Sequence, residues 1–402
     1  MTGDSDSDSA NAVDVELVLA CESGDLAKVQ HLVEQQDGDV CYQDPETGIS
    51  VLMVAASAGH TQIVRYLLNE GAPWNAVDRT YMCAGDYAAK HGQQECIDAL
   101  MGHAVTSELL LSLAMQKEES EDTDDIFFGC PLESPVFANT GVKHVPSESL
   151  NASYLSSRLQ YTENGHNLVD TSTNLAVMMD WELPLMKRHA AWICHADSHG
   201  TGALSNTIRV LNVGFGMGIV DEEIQAHRPS SHVIIEAHPE VLRKMECDGW
   251  MTKDGVQVLR GRWQEVVPTL AQEIADSTSP PFDGIFFDTY AEDDLDLREF
   301  HTWLPKLLRR VAAEDEGGTA SVAGRYSYYN GVCPDNVFFH GVACETIRLH
   351  LKRLGIDCQF EPIPVDVSDP KLWKDLSRRY WYFDTYFLPK CTFQSKETCD
   401  TN

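Results

Sequence analysis

Near the start of the chain, apolar positions recur in the spacing of short amphipathic helices. Val29, Leu32 and Val33 sit in LAKVQHLV, and Ile63, Tyr66 and Leu67 take the matching places in TQIVRYLL. Residues three and four apart share one face of a helix, so each set predicts a helix with one apolar stripe. The stripes belong to a longer repeat. Ala20-Cys21-Glu22-Ser23-Gly24 recurs as Ala55-Ala56-Ser57-Ala58-Gly59 and as Ala88-Ala89-Lys90-His91-Gly92, with the glycines 35 and 33 residues apart. A period of that length predicts stacked helical hairpins, each too small to bury its apolar face alone. The small alanines let helices approach closely, and the glycine permits the tight turn between them.

Further along, the pattern changes period. TIRVLNVG, HVIIEAH, VQVLRG, FDGIFFD and TASVAGRYS are short apolar runs. The segments MGIVDEEIQAH, PEVLRKMECDGW and WQEVVPTLAQEI lie between them and read as helices. Strands alternating with helices predict a parallel, doubly wound α/β sheet. CQFEPIPVDV and RYWYFDTYFLP read as two more strands, an antiparallel pair at the sheet edge. Between the two regions SELLLSLAMQ gives way to Glu118, Glu119, Glu121, Asp122, Asp124 and Asp125, a crowd of like charge that reads as a solvated connector. The expected division is helical repeats over 13–105, an acidic linker and lead-in over 106–146, and the α/β domain over 147–396.

Composition is that of a globular chain, 43% hydrophobic and 23% charged over 402 residues, a length that favours more than one core. The formal charge of -32 changes the picture. Phosphate binding needs clustered Lys and Arg, so direct nucleic-acid binding is not expected; a basic partner, or simple solubility, is. The 12 cysteines include no C-x-x-C, which argues against a zinc ribbon or a dithiol redox site and points to free thiols in a reducing compartment. No metal is expected. The N-terminus MTGDSDSDSANAVD lacks a signal-peptide pattern. No apolar run of about 18 residues is present, so no membrane span is expected.

The first predicted strand runs straight into Gly214-Phe215-Gly216-Met217-Gly218-Ile219. Glycines at a strand-to-helix turn let the backbone approach a ligand. Glu236, at the end of the next strand, is placed to accept hydrogen bonds from ribose hydroxyls, so the pair points to a nucleoside-bearing cofactor. The spacing is G-x-G-x-G, with Ile219 where a dinucleotide loop carries its third glycine. That departure favours S-adenosyl-L-methionine, which has no pyrophosphate to seat. Asp288 ends the fourth strand and faces the ligand edge of the sheet, while Glu182 lies ahead of the first strand in Met178-Met179-Asp180-Trp181-Glu182. Taken alone, each acid has a structural alternative, as a helix-start acid or a strand-end cap.

The segments VMMDWELPLMKRHA, VLNVGFGMGIVD, VIIEAHPEVLRKM, GRWQEVVPTL and FDGIFFDTY resemble, in order and spacing, guanidinoacetate N-methyltransferase. With the repeats in front, which resemble ankyrin repeats, and YLSSRLQYT ahead of MMDWE, the chain more closely resembles the protein arginine N-methyltransferase 2 family. The resemblance implies a class I S-adenosylmethionine methyltransferase domain that methylates the internal δ-nitrogen of arginine. It implies that Glu182 and Asp288 hold the guanidino group. It places the donor against Phe215, Gly216, Met217, Gly218, Ile219 and Val220, against Glu236, Ala237 and His238, and against Trp263 and Gln264. Met178, Met186, Tyr161 and Asp288 complete that set. A ribosomal large-subunit protein is the implied substrate, the ankyrin array its docking surface, and a monomer working in cytoplasm and nucleus the implied setting.

Two carboxylates suit the chemistry. A guanidinium is protonated in water and has no free lone pair; carboxylates fork onto it, orient one nitrogen and accept the released proton. Asp288 is the expected proton acceptor and Glu182 the expected orienter. The acids that follow, Glu292, Asp293, Asp294, Asp296 and Glu299, are expected to steer a basic segment toward the site. Two other functions compete: a small-molecule guanidino methyltransferase, which has little use for a docking array, and an ankyrin scaffold with an inactive domain, against which the intact acids and loop count.

Overall fold

The computed structural model describes residues 5–118, 147–162, 165, 167–195, 208–310 and 323–394. It divides into two compact units, Met1–His144 with Asn336–Thr346, and Val145–Asp335 with Ile347–Asn402.

The first unit is helical. Helices α1 (Ser5–Ser23) and α2 (Leu26–Gln36), α3 (Val51–Ala58) and α4 (Thr61–Asn69), and α5 (Ala84–Lys90) and α6 (Gln94–Glu118) form three hairpins in chain order. The repeated glycines sit at the hairpin turns, and the next repeat packs directly on them. A Cβ on Gly24 would lie 2.6 Å from the His60 ring, and one on Gly59 2.4 Å from the Gln93 amide. The buried stripe of α4 is Ile63, Val64, Leu67 and Leu68; Tyr66 is half-buried and turns its hydroxyl to Glu34. Helix α6 runs past Val105 into the segment expected to be linker. Its ELLLSLAMQKE stretch has no glycine or proline to stop it and is rich in strong helix formers. The acidic residues from Glu119 to Asp125 lie outside the described residues.

The second unit starts with helix α7 (Ser147–Leu155) and a small antiparallel sheet of β1 (Leu159–Tyr161), β2 (Asn167–Asp170) and β3 (Leu175–Met179), which the sequence pattern does not announce. A 3-10 turn at Asp180–Glu182 leads into α8 (Leu183–Ile193). The main sheet has seven strands: β4 (Arg209–Val213), β5 (Ser231–Glu236), β6 (Val256–Arg260), β7 (Gly284–Phe287), β8 (Arg325–Tyr328), β9 (Ile356–Pro364) and β10 (Thr385–Phe393). Their order is β6-β5-β4-β7-β8-β10-β9. The first five are parallel; β10 runs antiparallel to both of its neighbours.

Helices α9 (Ile219–Ala226), α10 (Pro239–Cys247), α11 (Trp263–Ala275) and α12 (Asp294–Leu307) connect the parallel strands, and α13 (Val337–Arg353) precedes β9. One apolar cluster gathers Leu211, Val233, Ile285, Leu270 and Phe300; another gathers Val210, Ile234, Phe286, Met186 and Ile224. Residues alternating along β4, β5 and β7 fall into different clusters, as a sheet buried on both faces requires. Two expectations shift in detail. The aromatic run from Arg379 to Phe383 precedes β10 rather than belonging to it, and β10 lies inside the sheet, leaving β9 at the edge. Residues 319–322 of the expected fifth strand lie outside the described residues.

Register sets what matters for function. Val213 pairs with Ile235 on one side and Phe287 on the other, and Phe287 pairs with Tyr328. Gly214, Glu236, Asp288 and Tyr329 are each one residue beyond, so they line up along the carboxyl edge of the sheet. The strand order reverses at β4, the place where open α/β sheets bind ligands.

Candidate active site

A cleft opens at this edge, bordered by Gly214, Gly216, Glu236, Trp263, Asp288 and Met178 among others. Its floor is the glycine loop. Gly214 has φ 93°, and a Cβ there would lie 1.9 Å from the Asp288 carbonyl oxygen, so the two strand ends touch through the missing side chain. Gly218, at φ 75°, is the N-cap of α9 and accommodates the Phe215 ring, 2.4 Å from where its Cβ would be. The loop's first turn of helix leaves backbone N–H groups without intrahelical partners, the usual basis for receiving polar ligand atoms.

Only some of the residues assigned to the donor border the cleft. Met178, Gly216, Glu236, Ala237, Trp263 and Asp288 border the cleft. Phe215, Val220 and Met186 are packed into the core, Met186 with 0% exposure. Phe215 sits edge-on to Trp250 at 5.1 Å, and the Met217 amide reaches the Met178 sulfur at 3.4 Å. Ile219 opens α9. Tyr161 donates its hydroxyl to the Gly216 carbonyl at 3.0 Å, tying β1 to the loop. His238 is committed to structure: its Nδ1 accepts the Glu240 amide and its Nε2 meets the Tyr154 carbonyl.

Glu236 is held by backbone. One oxygen accepts the Phe215 N–H at 2.9 Å; the other accepts those of Ala237 at 2.8 Å and His238 at 2.6 Å. Burial pushes its pKa up against these bonds. The carboxylate therefore fixes the loop, with the Gly216 N–H as a fourth backbone donor.

Trp263 and Gln264 meet a residue that the sequence pattern grouped elsewhere. Glu292 accepts the Trp263 indole N–H at 2.8 and 3.0 Å, the Gln264 amide at 3.1 Å and the Thr289 hydroxyl at 2.6 Å. With its amide nitrogen so engaged, Gln264 presents a buried Oε1 that has no partner. The acids expected to steer a basic segment also have local roles. Asp293 and Asp296 form the capping box of α12, Asp294 pairs with Arg298 at 2.8 Å, and Glu292 forms part of the cleft wall. In sequence these acids look like one solvated run; local capping takes up two of them, the cleft one and an ion pair with Arg298 a fourth.

The two acids expected to hold the acceptor are brought together. Glu182 is 3% exposed; its Oε1 accepts the Met179 amide at 3.2 Å and the Tyr380 hydroxyl. Tyr380 in turn accepts the Trp181 indole N–H at 2.9 Å. Burial, then the charge of Asp288, lifts the Glu182 pKa to about 8. Burial, then the charge of Asp221, lifts that of Asp288 to about 7. The Asp288 Oδ2 is buried and has no hydrogen-bond partner. Two desolvated carboxylates near each other cannot both ionise cheaply, and a bound cation relieves both. Among the described residues, no group of His, Cys, Asp and Glu is arranged to hold a metal ion.

Sequence reasoning missed Glu292, Tyr290, Tyr154, Asn151 and Arg262 on the cleft, and Tyr329 and Tyr380 beside the acids. Glu292 carried a signal, four positions after Asp288 on the same strand end, hidden by its acidic neighbours. The tyrosines carried none that periodicity could separate from core packing.

Residues 147–330 match the family model described as guanidinoacetate N-methyltransferase, and residues 17–108 match ankyrin repeats in 3 copies. The chain is 31% identical to protein arginine N-methyltransferase 2 of Aspergillus fumigatus, over 94% of this chain and 96% of the relative. It is 31% identical to that of Saccharomyces cerevisiae, over 82% and 77%. With the Yarrowia lipolytica protein of the same name the identity is 38%, over 60% of this chain and 47% of the relative.

Proposed function

This chain belongs to the protein arginine N-methyltransferase 2 family, and on that premise we propose that it transfers a methyl group from S-adenosyl-L-methionine to an arginine guanidino group in a basic protein. The observation that carries this is the pairing of buried Glu182 with half-buried Asp288, which adjoins the glycine loop and has its Oδ2 unpartnered. A planar cation rich in N–H donors supplies what such a pair lacks.

The cleft suits the donor. Gly214, Gly216, Glu236 and Trp263 border it, so backbone, a carboxylate and an indole face a bound nucleoside. When bound, the sulfonium supplies an activated methyl group for in-line displacement. The protein's own part is positioning and proton management. Glu182, restrained by Met179 and Tyr380, orients the guanidinium. Asp288, with a pKa of about 7, accepts the proton that leaves the nitrogen as the N–C bond forms.

The acceptor atom we propose is the internal δ-nitrogen, and the substrate a ribosomal large-subunit protein; the family resemblance supports both, and the charge of -32 suits a basic partner. Incubating the protein with labelled donor and ribosomal extract, then locating the label by fragmentation mass spectrometry, tests the reading. Label on a δ-nitrogen supports it in full. Label on a terminal nitrogen removes the δ assignment alone, and absence of donor binding removes the whole proposal.

A further inference from the structure

We infer that the Tyr329 hydroxyl is a third polar contact for the guanidinium, a specificity-determining residue that completes the acceptor site with Glu182 and Asp288. The inference rests on the proposed function and deepens it.

Tyr329 follows β8 directly, and its amide donates to the Phe287 carbonyl at 2.9 Å, which places it beside Asp288 at the sheet edge. Its hydroxyl is buried and has no hydrogen-bond partner, and neither has the neighbouring Asp288 Oδ2. Three neighbouring hydroxyls are engaged. Tyr380 is held between Trp181 and Glu182, and Tyr386 between His189 and the Asn330 amide. Ser327 donates to the Pro389 carbonyl and meets His189. Tyr329 stacks on Tyr386 with ring centroids 5.8 Å apart, so its ring is fixed while its oxygen is left open.

A buried hydroxyl left unpaired is costly, and two unpaired polar atoms on adjoining strand ends call for a shared ligand. Burial, and after it the charges of Glu182, Tyr386 and Asp288, hold the phenol protonated. It therefore acts as a neutral group: its oxygen accepts a guanidinium N–H while its proton can be given to a carboxylate. A third, neutral contact further restrains the cation's rotation in its own plane. It also takes no proton from the nitrogen, leaving that task to Asp288.

The test compares the full chain with Tyr329→Phe, which removes only the unpartnered oxygen and leaves the stacked ring. Methylguanidinium chloride is titrated into protein saturated with S-adenosylhomocysteine, and binding of S-adenosylhomocysteine is measured separately. The expected result is a roughly tenfold weaker methylguanidinium affinity with unchanged S-adenosylhomocysteine affinity. With an arginine-containing substrate protein, KM for the acceptor rises and kcat falls, while KM for the donor holds. Equal methylguanidinium affinities in the two proteins overturn the inference. A wild-type protein that binds S-adenosylhomocysteine but no methylguanidinium overturns it together with the guanidinium site. If methylguanidinium binds and S-adenosylhomocysteine does not, the donor assignment falls, and the titration repeated without S-adenosylhomocysteine decides the tyrosine.

Discussion

Asp78 in the repeat unit and Asp288 in the α/β unit are both acids withdrawn from water, and they have opposite surroundings. Asp78 is 7% exposed, and its two oxygens accept the amides of Thr80 and Met82, the Thr80 hydroxyl and the Tyr87 hydroxyl. Burial pushes its pKa up, but these bonds outweigh it and the net shift is down. Asp288 keeps a buried oxygen with no partner, and its pKa rises to about 7. A carboxylate surrounded by its own donors does structural work. One left without donors is a place prepared for something the chain does not itself contain.

The comparison breaks most visibly at Asp288. Asp288→Asn removes the proton acceptor and half of the clamp, so methyl transfer should fall by about 10²–10⁴-fold. Donor affinity, measured by S-adenosylhomocysteine titration, should stay within a few-fold of wild type. Wild-type turnover in this variant would show that the open oxygen is not part of the chemistry.

Gly214→Ala attacks the same edge from the backbone. The new Cβ would sit 1.9 Å from the Asp288 carbonyl, at a φ of 93° that an L side chain rarely adopts. One or both strand ends must move, at a cost of about 2–4 kcal/mol, within the range of the more damaging single substitutions. Donor binding should be lost along with it. A variant with normal melting temperature and normal donor affinity would mean that the loop tolerates far more motion than this packing allows.

The repeat unit gives the matching structural case. Asp78→Ala strands the amides of Thr80 and Met82 and the Tyr87 hydroxyl, with an expected loss of about 2–3 kcal/mol in urea unfolding of the repeats. Donor affinity should not change, because no residue bordering the cleft belongs to that unit. A change in donor affinity as large as the change in stability would contradict the division of labour.

How much of this was legible follows the same line. The repeats were legible because a helical hairpin declares itself through local spacing: Gly24, Gly59 and Gly92 mark the turns, and the apolar stripes mark the faces. The parallel strands were legible for the same reason, down to Glu236 and Asp288 at their ends. The pairing of Glu182 with Asp288 was suggested by family resemblance alone, since no local pattern links residues so far apart. Glu292 was read with the wrong neighbours, because a run of acids looks solvated until helix capping and indole donors claim its members. Tyr329 and Tyr380 stayed hidden, because whether an aromatic hydroxyl is packed away or left open depends on strand register and on partners from distant segments.

The finest discriminator is the pH dependence of stability in the ligand-free protein, where the two acids should act with opposite sign. Asp288 has a folded pKa of about 7 against an ordinary value of 3.8. The folded state binds its proton more tightly than the unfolded chain, so the stability this group contributes is present below about pH 4 and is lost as pH rises through about 7. Asp288→Asn should therefore melt higher than wild type at pH 8, with the difference shrinking as pH falls toward 4. For Asp78 the folded pKa lies below 3.8. Its contribution is present above that value and is lost as pH falls through the folded pKa, so the penalty of Asp78→Asn should be full at neutral pH and fade in strong acid. Thermal melts of the two variants against wild type, taken from pH 3 to pH 8, put both signs in one measurement. If the Asp288 variant melted lower than wild type across the whole range, its carboxylate would be stabilised by partners in the folded state, and the contrast with Asp78 would collapse.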